Sequence, residues 1–220
     1  MEVTYIDHMG SDLSVVNAAR VSFGKKSEWH QRIYTGEPNI LKTKDAKLIN
    51  YLAKHNHKSP FNHAFATFHV KAPIFVARQL VKHEYMPWNE ISRRYVDEEP
   101  EFYQPDVWRG RSEDKKQGSD GVINDIRPSV ATNMVEDCRQ NYNYLLAKGV
   151  APEQARMVLP QSMMTEWYWS GSLFAFAKMC KLRMKSDTQE ETQYVAGKIA
   201  STMADIYPAS WDALMEHMHE

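Results

Sequence analysis

The chain has 220 residues, 43% of them hydrophobic and 25% charged, and a formal net charge of −1. A chain of this length can bury a hydrophobic core without stabilising disulfides or metal ions. Its near-neutral net charge gives no reason to expect a nucleic-acid partner. Neither a membrane span nor a signal peptide is evident, so we expect one cytoplasmic domain over residues 1–220 without membrane contact. Cys138 and Cys180 are predicted to be reduced, buried thiols on apolar helix faces.

The N-terminal third is predicted to contain two strands and two helices. Alternation at 2–7 and 64–71 predicts the strands, and apolar residues at helical spacing predict helices at 12–22 and 44–55. Residues 24–42 are polar and rich in turn-forming residues, which predicts a loop.

A dense group of polar residues occupies positions 78–95. A helix from Pro73 to a stop at Pro87 is predicted to bury Ile74, Ala77, Leu80 and Val81, and to carry on its opposite face Arg78, Gln79, Lys82 and His83. The segment 89–96 alternates as a strand, which places on one face Glu90, Ser92 and Arg94. So many directional groups beside apolar residues indicate a site for a planar, anionic ligand. Surface salt bridges are the alternative interpretation.

The C-terminal half is predicted to be mostly helical. Residues 104–127 are rich in Gly, Asp, Lys and Ser and are predicted to form a mobile loop. An aromatic strand is expected at 163–170, and a capping box, Thr188 with Glu191, is expected to open a helix. The other helices are predicted at 128–148, at 152–157, from Leu173 through Cys180, and at 208–218. Because strands and helices do not alternate regularly, we predict an α+β fold with a largely antiparallel sheet covered by several helices.

Metal binding and glycine-loop nucleotide binding are both disfavoured. The histidines show no H-E-x-x-H spacing and lie near no cysteine, so no metal site is predicted. No G-x-G-x-x-G or Walker pattern occurs, so side chains must hold any nucleotide. Cations near the end of the helix after Leu173 also have a simpler explanation, because they interact favourably with the helix C-terminus.

Six motifs occur in the order typical of one family, and the chain resembles the flavin-dependent thymidylate synthases. They are NAARVSFGK at 17–25, HKSPFNH at 57–63, FHVKAPIFVARQ at 68–79, NEISRRY at 89–95, EQARMVLPQ at 153–161, and Leu182-Arg183. The resemblance implies a homotetramer whose active sites are shared between subunits. It also implies bound FAD, reduction by NADPH, and methylene transfer from methylenetetrahydrofolate to dUMP.

The resemblance also assigns site residues by position. Contacts with dUMP are implied for Arg78, Gln79, Lys82, Glu90, Ile91, Ser92, Arg93, Arg94, Arg156 and Arg183. Contacts with FAD are implied for Ser22, His57, Ser59, Asn62, Lys82, His83, Glu84, Glu90, Ser172, Phe174 and Lys178. Arg183 and Ser92 are the implied catalytic residues. A cation at Arg183 would favour the N3-deprotonated uracil ring, which makes C5 more nucleophilic.

Several positions depart from the family pattern. The R-H-R triplet appears as Lys82-His83-Glu84, Phe174 stands where arginine is common, Ser172 where asparagine is, and Asp187 where histidine is. Most of these departures lie on the implied flavin and folate side, whereas the dUMP side is nearly intact. They leave a second hypothesis open, a dUMP- or nucleotide-binding homologue that has lost its flavin chemistry.

Overall fold

A four-stranded antiparallel sheet lies at the centre of the computed structural model, which describes residues 1–30, 40–95, 98–114 and 118–218. In chain order the strands are β1 (Glu2–Met9), β2 (Phe65–Pro73), β3 (Trp88–Glu90), β4 (Trp108–Arg111), β5 (Ser119–Ile123) and β6 (Met164–Ser172). The sheet has the order β1–β2–β6–β3, and β4 pairs with β5 in a separate hairpin. All these pairs are antiparallel, which confirms the predicted α+β fold.

Eight α-helices are described in the same parts of the chain. They are α1 (Asp12–Arg20), α2 (Thr43–Lys54), α3 (Ile74–Leu80), α4 (Ser129–Ala147), α5 (Pro152–Ala155), α6 (Leu173–Arg183), α7 (Glu190–Ile206) and α8 (Pro208–His217). Short 3-10 turns follow α1, α2 and α5 at Val21–Phe23, Ser59–His63 and Arg156–Val158. No described helix has both the length and the apolar character needed to cross a bilayer.

The core forms where the alternating strands meet the helices. Phe68 of β2 and Trp169 of β6 are opposite each other in the register, and both are fully buried. Their rings contact Phe176 of α6 edge-on, at centroid distances of 5.2 and 5.4 Å. Because successive strand residues face opposite sides of the sheet, Thr67 and Tyr168, the neighbours of Phe68 and Trp169 in sequence, point away from α6. The sequence prediction of an inward face on α6 is confirmed, since Leu173, Phe176, Ala177 and Cys180 are buried.

Asp12 joins the two ends of the chain. This buried carboxylate accepts hydrogen bonds from the backbone N–H groups of Ala209 and Ser210, at 3.0 and 2.9 Å. Those N–H groups lie in the first turn of α8, where an acceptor is needed and a negative charge is favourable. Asp12 therefore caps a helix almost 200 residues away in sequence and fixes α8 against α1.

The polar segment near position 80 differs from its predicted structure. Helix α3 ends at Leu80 rather than near Pro87, and Tyr85 takes a left-handed conformation with φ of 59°. Lys82, His83 and Glu84 consequently lie in turns and not on a helix face. Of the apolar residues expected to be buried, Ile74 is half-buried and Val81 is 48% exposed.

The strand predicted at 89–96 is also wrong beyond Glu90. Strand β3 pairs with β6 as far as Glu90 and Trp167, and the Ile91 N–H then donates to the Glu166 carbonyl. The chain next turns, with the Tyr95 N–H donating to the Ser92 carbonyl, while position 96 lies outside the described residues.

Three further predictions need correction. Residues 104–127 contain the β4–β5 hairpin where a mobile loop was predicted. Positions 115–117 of this segment lie outside the described residues. Positions 31–39 of the predicted loop 24–42 also lie outside them. The capping box does not form, because Gln189 is the N-cap of α7 and the Thr188 hydroxyl donates instead to the Leu182 carbonyl. Cys138 is half-buried rather than buried.

Candidate functional site

Arg183 is the centre of a hydrogen-bonded cluster between α6 and α3. It is the last residue of α6, and its guanidinium is half-buried. Its Nε donates to His83 Nε2 at 3.1 Å, and its Nη2 donates to the Gln79 backbone carbonyl at 2.8 Å. Burial lowers the pKa of Arg183, because a desolvated cation is less stable. Within the described residues, bonds to His83 and Gln79 engage two of its five N–H groups, which leaves the others for a ligand.

His83 is a neutral hydrogen-bond acceptor for Arg183. Burial, followed by the nearby charges of Arg183 and Lys178, lowers the pKa of His83 from 6.5 to about 4. The ring is therefore uncharged at neutral pH. Because Nε2 accepts from Arg183, Nδ1 must carry the ring hydrogen and act as a donor.

Gln79 is held on two sides by residues at the end of α6 and the start of α7. Arg183 bonds to its backbone carbonyl, and its side-chain Nε2 donates to Gln189 Oε1 at 2.7 Å. Gln189 was not predicted as a site residue, because a glutamine at a helix start has no distinctive sequence signal. Only the fold brings it to α3.

A cationic cleft of ≈ 380 Å³ borders this cluster. Its lining includes His83 and Phe174 together with Lys58, Lys178 and Lys181. The Lys58 ammonium lies 5.6 Å from the centroid of the Phe174 ring. Three ammonium groups beside an aromatic ring suit an anionic ligand with a planar part. Lys58 was not among the predicted site residues, although it lies within the HKSPFNH motif.

Ser172 and Asn62 bond to each other near the start of α6. The Ser172 hydroxyl donates to Asn62 Oδ1 at 2.7 Å and accepts from the Ala175 N–H at 3.2 Å, which makes Ser172 the N-cap of α6. Ser172 is buried and Asn62 is exposed. Ser172 thus has a structural role, and Asn62 presents its remaining polar atoms to solvent.

A second group of predicted residues lies at the end of β3. Glu90 accepts hydrogen bonds from Trp88 Nε1 at 3.0 Å and from the Thr165 hydroxyl at 2.6 Å. Ser92 Oγ accepts from Arg94 Nε at 3.3 Å. The sequence predicted that Ser92 and Arg94 share a strand face with Glu90. That prediction is wrong, because both residues lie in the turn after β3.

Two arginines of the sequence prediction are engaged locally. Arg93 follows Ser92 and donates to the Glu98 backbone carbonyl. Arg156 is exposed, and its Nε donates to the Glu153 carbonyl at 3.3 Å. Ile91, between Glu90 and Ser92, is half-buried. The other predicted site residues are exposed side chains, namely Ser22, His57, Ser59, Arg78, Lys82, Glu84 and Lys178.

A second cleft, of ≈ 520 Å³, lies between the β4–β5 hairpin, α4 and the start of α7. Arg109 of β4 crosses one end and donates to Glu191 Oε1 at 2.6 Å. Burial alone would raise the pKa of Glu191, but the hydrogen bond and charge of Arg109 hold that pKa below its usual value. Burial and the negative charge of Glu191 raise the pKa of Tyr103 to about 12. Gln189 also lines this cleft, and its side chain accepts a hydrogen bond from Gln79.

Metal ligands do not cluster in the described part of the chain. Among residues 1–30, 40–95, 98–114 and 118–218, no group of three or more His, Cys, Asp or Glu side chains is arranged to hold a metal ion. His69 pairs with Glu166, with 2.9 Å between His69 Nε2 and Glu166 Oε2.

Comparison with known proteins relates this arrangement to a family. The family model described as "Thymidylate synthase complementing protein" matches residues 4–209. A flavin-dependent thymidylate synthase of Thermus thermophilus is 40% identical over 219 residues, covering 99% of this chain and 77% of the relative. The corresponding enzyme of Thermosipho africanus is 38% identical over 219 residues, covering 98% of this chain and 91% of the relative.

A solved structure shows the same fold. It is a UMP/dUMP methylase, PolB, from Streptomyces cacaoi bound with 5-Br dUMP, with a TM-score of 0.83 and 32% sequence identity. The match covers 98% of this chain and 94% of that one. The chain therefore belongs to the family of flavin-dependent thymidylate synthases, which are methyltransferases.

Proposed function

We propose that the protein catalyses the reductive methylation of dUMP to dTMP, with methylenetetrahydrofolate as carbon donor and NADPH as reductant, through bound FAD. The observation that carries this proposal is the clamped Arg183, held by Gln79 and His83 at the border of a cationic, aromatic cleft. Membership of the family and the structural match to a methylase bound with a dUMP analogue support the same conclusion.

The cleft residues fit a flavin dinucleotide. Lys58, Lys178 and Lys181 can neutralise its pyrophosphate, while Phe174 offers a surface for a ring. The Nδ1–H of His83 provides a directional donor at the boundary between the cleft and Arg183. When bound and reduced, a flavin supplies the hydride that converts the transferred methylene group into a methyl group. The chain's own residues position and polarise the reactants.

Arg183 would act on the uracil ring. Bonds to Gln79 and His83 anchor its guanidinium, and its partial burial strengthens its field. A fixed cation here stabilises the N3-deprotonated ring and the electron density that makes C5 nucleophilic. The two anchoring bonds fix the guanidinium before the substrate binds, so little reorganisation is needed.

The second group of residues would complete the nucleotide site from another subunit. Ser92 and Arg94 lie at the end of β3, with Arg94 exposed beyond the last residue that pairs with β6. An exposed guanidinium beside a hydroxyl is suited to a phosphate. We therefore propose a homotetramer in which this group meets the Arg183 cluster of a neighbouring protomer. A cytoplasmic location is part of the same proposal.

A second candidate is a nucleotide-binding homologue without flavin chemistry. Phe174 stands in the cleft where the family commonly has arginine, and Glu84 places a negative charge directly after His83. Both changes weaken the attraction for a dinucleotide pyrophosphate. This candidate keeps the Arg183 cluster and loses only the cofactor.

The absorption spectrum of the purified protein and tritium release from [5-³H]dUMP separate the two candidates. We expect a bound-flavin spectrum and tritium release that requires NADPH and methylenetetrahydrofolate. Arg183→Ala should abolish the release while the flavin content stays near wild type, and Lys198→Ala, at an exposed position of α7, serves as control. A protein that binds dUMP but cannot be reconstituted with FAD supports the second candidate instead.

A further inference from the structure

A buried carboxylate joins the two ends of an exposed loop near the N-terminus. Asp45, in the first turn of α2, is fully buried. Its Oδ1 accepts from Arg20 Nε at 3.2 Å, from Arg20 Nη2 at 2.5 Å and from the Ser27 hydroxyl at 2.9 Å. Arg20 ends α1, and Ser27 lies at the far end of residues 21–26, which we call the 21–26 loop. One carboxylate oxygen therefore holds the residues on either side of this loop together.

Asn17 closes the same loop through the backbone of Ser27. Its Oδ1 accepts from the Ser27 N–H at 2.7 Å, and its Nδ2 donates to the Ser27 carbonyl at 3.1 Å. Within the loop, the Gly24 N–H donates to the Val21 carbonyl at 3.0 Å, and Gly24 has a positive φ of 62°, which glycine adopts without strain. Ser27 is thus bonded through its side chain, its N–H and its carbonyl, which fixes the far end of the 21–26 loop relative to α1.

The 21–26 loop presents its side chains to solvent although its base is firmly held. Residues 21–26 are all exposed, with Val21 at 71% and Phe23 at 78%. Ordering a loop costs conformational entropy, and a loop that is already ordered does not incur that cost again when a ligand binds. The 21–26 loop is therefore a pre-organised element whose side chains can meet a ligand.

Ser22, in this loop, is one of the implied flavin contacts, and the helix that leads into it packs against the turn that carries others. That helix is α1, and its neighbour is the Ser59–His63 turn. Ser59 and Asn62 of this turn are implied flavin contacts as well. Because a hydroxyl can both donate and accept, Ser22 suits the polar groups of a dinucleotide.

From these contacts we infer that Asp45 is a positioning residue for the cofactor. With Asn17 it holds the 21–26 loop so that the Ser22 hydroxyl meets the flavin dinucleotide. Asp45 acts through the loop rather than on the ligand, because its side chain is fully buried and faces Arg20 and Ser27. The inference rests on the proposed function, since it takes FAD as the ligand and Ser22 as one of its contacts.

Titration of the flavin-depleted protein with FAD tests this role in Asp45→Asn and Asn17→Ala. We expect each variant to raise the Kd for FAD about tenfold, because the loop must then be ordered when the cofactor binds. In a Ser22→Ala background the same changes should raise the Kd by less than about twofold, since they act through a hydroxyl that is no longer present. Glu191→Gln is the matched control, because it removes the charge of another buried carboxylate paired with an arginine, Arg109, and its Kd for FAD should equal that of wild type.

Trypsin cleavage after Lys25 and Lys26 measures the order of the loop without reference to the cofactor. Both lysines are exposed within the 21–26 loop, and the fragments are assigned by mass. Cleavage of the flavin-depleted protein at these sites should be several fold faster in Asp45→Asn and in Asn17→Ala than in wild type, because the base of the loop is released. Glu191→Gln should be cleaved there at the wild-type rate.

Three results would overturn the inference. They are a wild-type Kd for FAD in both variants, wild-type cleavage of the loop in both, and an equal rise of the Kd with and without Ser22. Asn17→Ala leaves the pair of Asp45 with Arg20 intact, so it tests the loop even where Asp45→Asn does not fold. Wild-type protein that binds no FAD refutes the proposed function instead, and the cleavage rates then still report on the loop, so the two failures are distinguishable.

Discussion

Replacing His83 by glutamine removes a histidine whose pKa is strongly lowered in the folded protein. The pKa of His83 falls from 6.5 to about 4 because the ring is partly buried and lies near Arg183 and Lys178. The unfolded chain therefore binds a proton at this ring as the pH falls through about 6.5, whereas the folded chain binds it only near pH 4. Between these values the unfolded state holds more protons, so the folded protein loses stability as the pH falls.

The size of the effect follows from the same two values. At pH 5 the shift from 6.5 to about 4 corresponds to about 2 kcal/mol of lost stability for a fully buried ring. His83 is only half-buried, so solvent screening reduces the expected effect to about 1 kcal/mol. Protonation also turns Nε2 into a donor, which breaks its bond with Arg183 Nε.

Urea denaturation at pH 5 and at pH 7.5 measures this difference directly. Wild type should lose about 1 kcal/mol more than His83→Gln between the two pH values, since glutamine does not titrate and can still accept from Arg183. His63→Gln, at an exposed position, is the matched control and should keep the wild-type pH dependence. If His83→Gln and wild type lose the same stability, His83 is not the half-buried neutral acceptor described above.

Three other predictions concern the remaining contacts. Asp12→Ala should lower the free energy of unfolding by about 1–2 kcal/mol in urea, because two N–H groups at the start of α8 lose their acceptor; an unchanged midpoint contradicts this capping role. Arg109→Met should release the β4–β5 hairpin from Glu191 and speed its cleavage in limited proteolysis, whereas a wild-type cleavage rate means that other contacts hold it. Lys178→Glu should lower the flavin content of the purified protein several fold, and an unchanged flavin spectrum removes Lys178 from the cofactor cleft.

The central part of the fold could be predicted because burial imposes a period on the sequence. In β2 and β6 every second residue faces the core, and α6 buries Leu173, Phe176, Ala177 and Cys180 at helical spacing. The antiparallel arrangement also followed from the irregular order of strands and helices. These features depend on local pattern, which one sequence contains.

The predictions that failed depend on partners distant in sequence. The segment 89–96 alternates along its length, yet β3 ends at Glu90, because strand length is set by pairing with β6. Thr188 has the spacing of a capping box, but its hydroxyl donates to the Leu182 carbonyl instead. The β4–β5 hairpin carries few apolar residues and is held by the ion pair of Arg109 with Glu191, which no local pattern reveals.

The candidate site was predicted as positions rather than as contacts. Motif resemblance named Gln79, His83 and Arg183, and the structure brings these three together. It could not indicate that His83 is a neutral acceptor, since that state follows from burial beside two cations. Gln189 also escaped prediction, because it reaches Gln79 across 110 residues of sequence.

Anaerobic single turnover tests the central claim most directly. The NADPH-reduced protein is mixed with dUMP and methylenetetrahydrofolate, and the nucleotide product is identified by mass. We expect dTMP from the wild-type protein and unchanged dUMP from Arg183→Ala that retains its flavin. Failure of flavin-loaded wild-type protein to form dTMP, or equal dTMP formation by Arg183→Ala, would contradict an Arg183-centred methylation site.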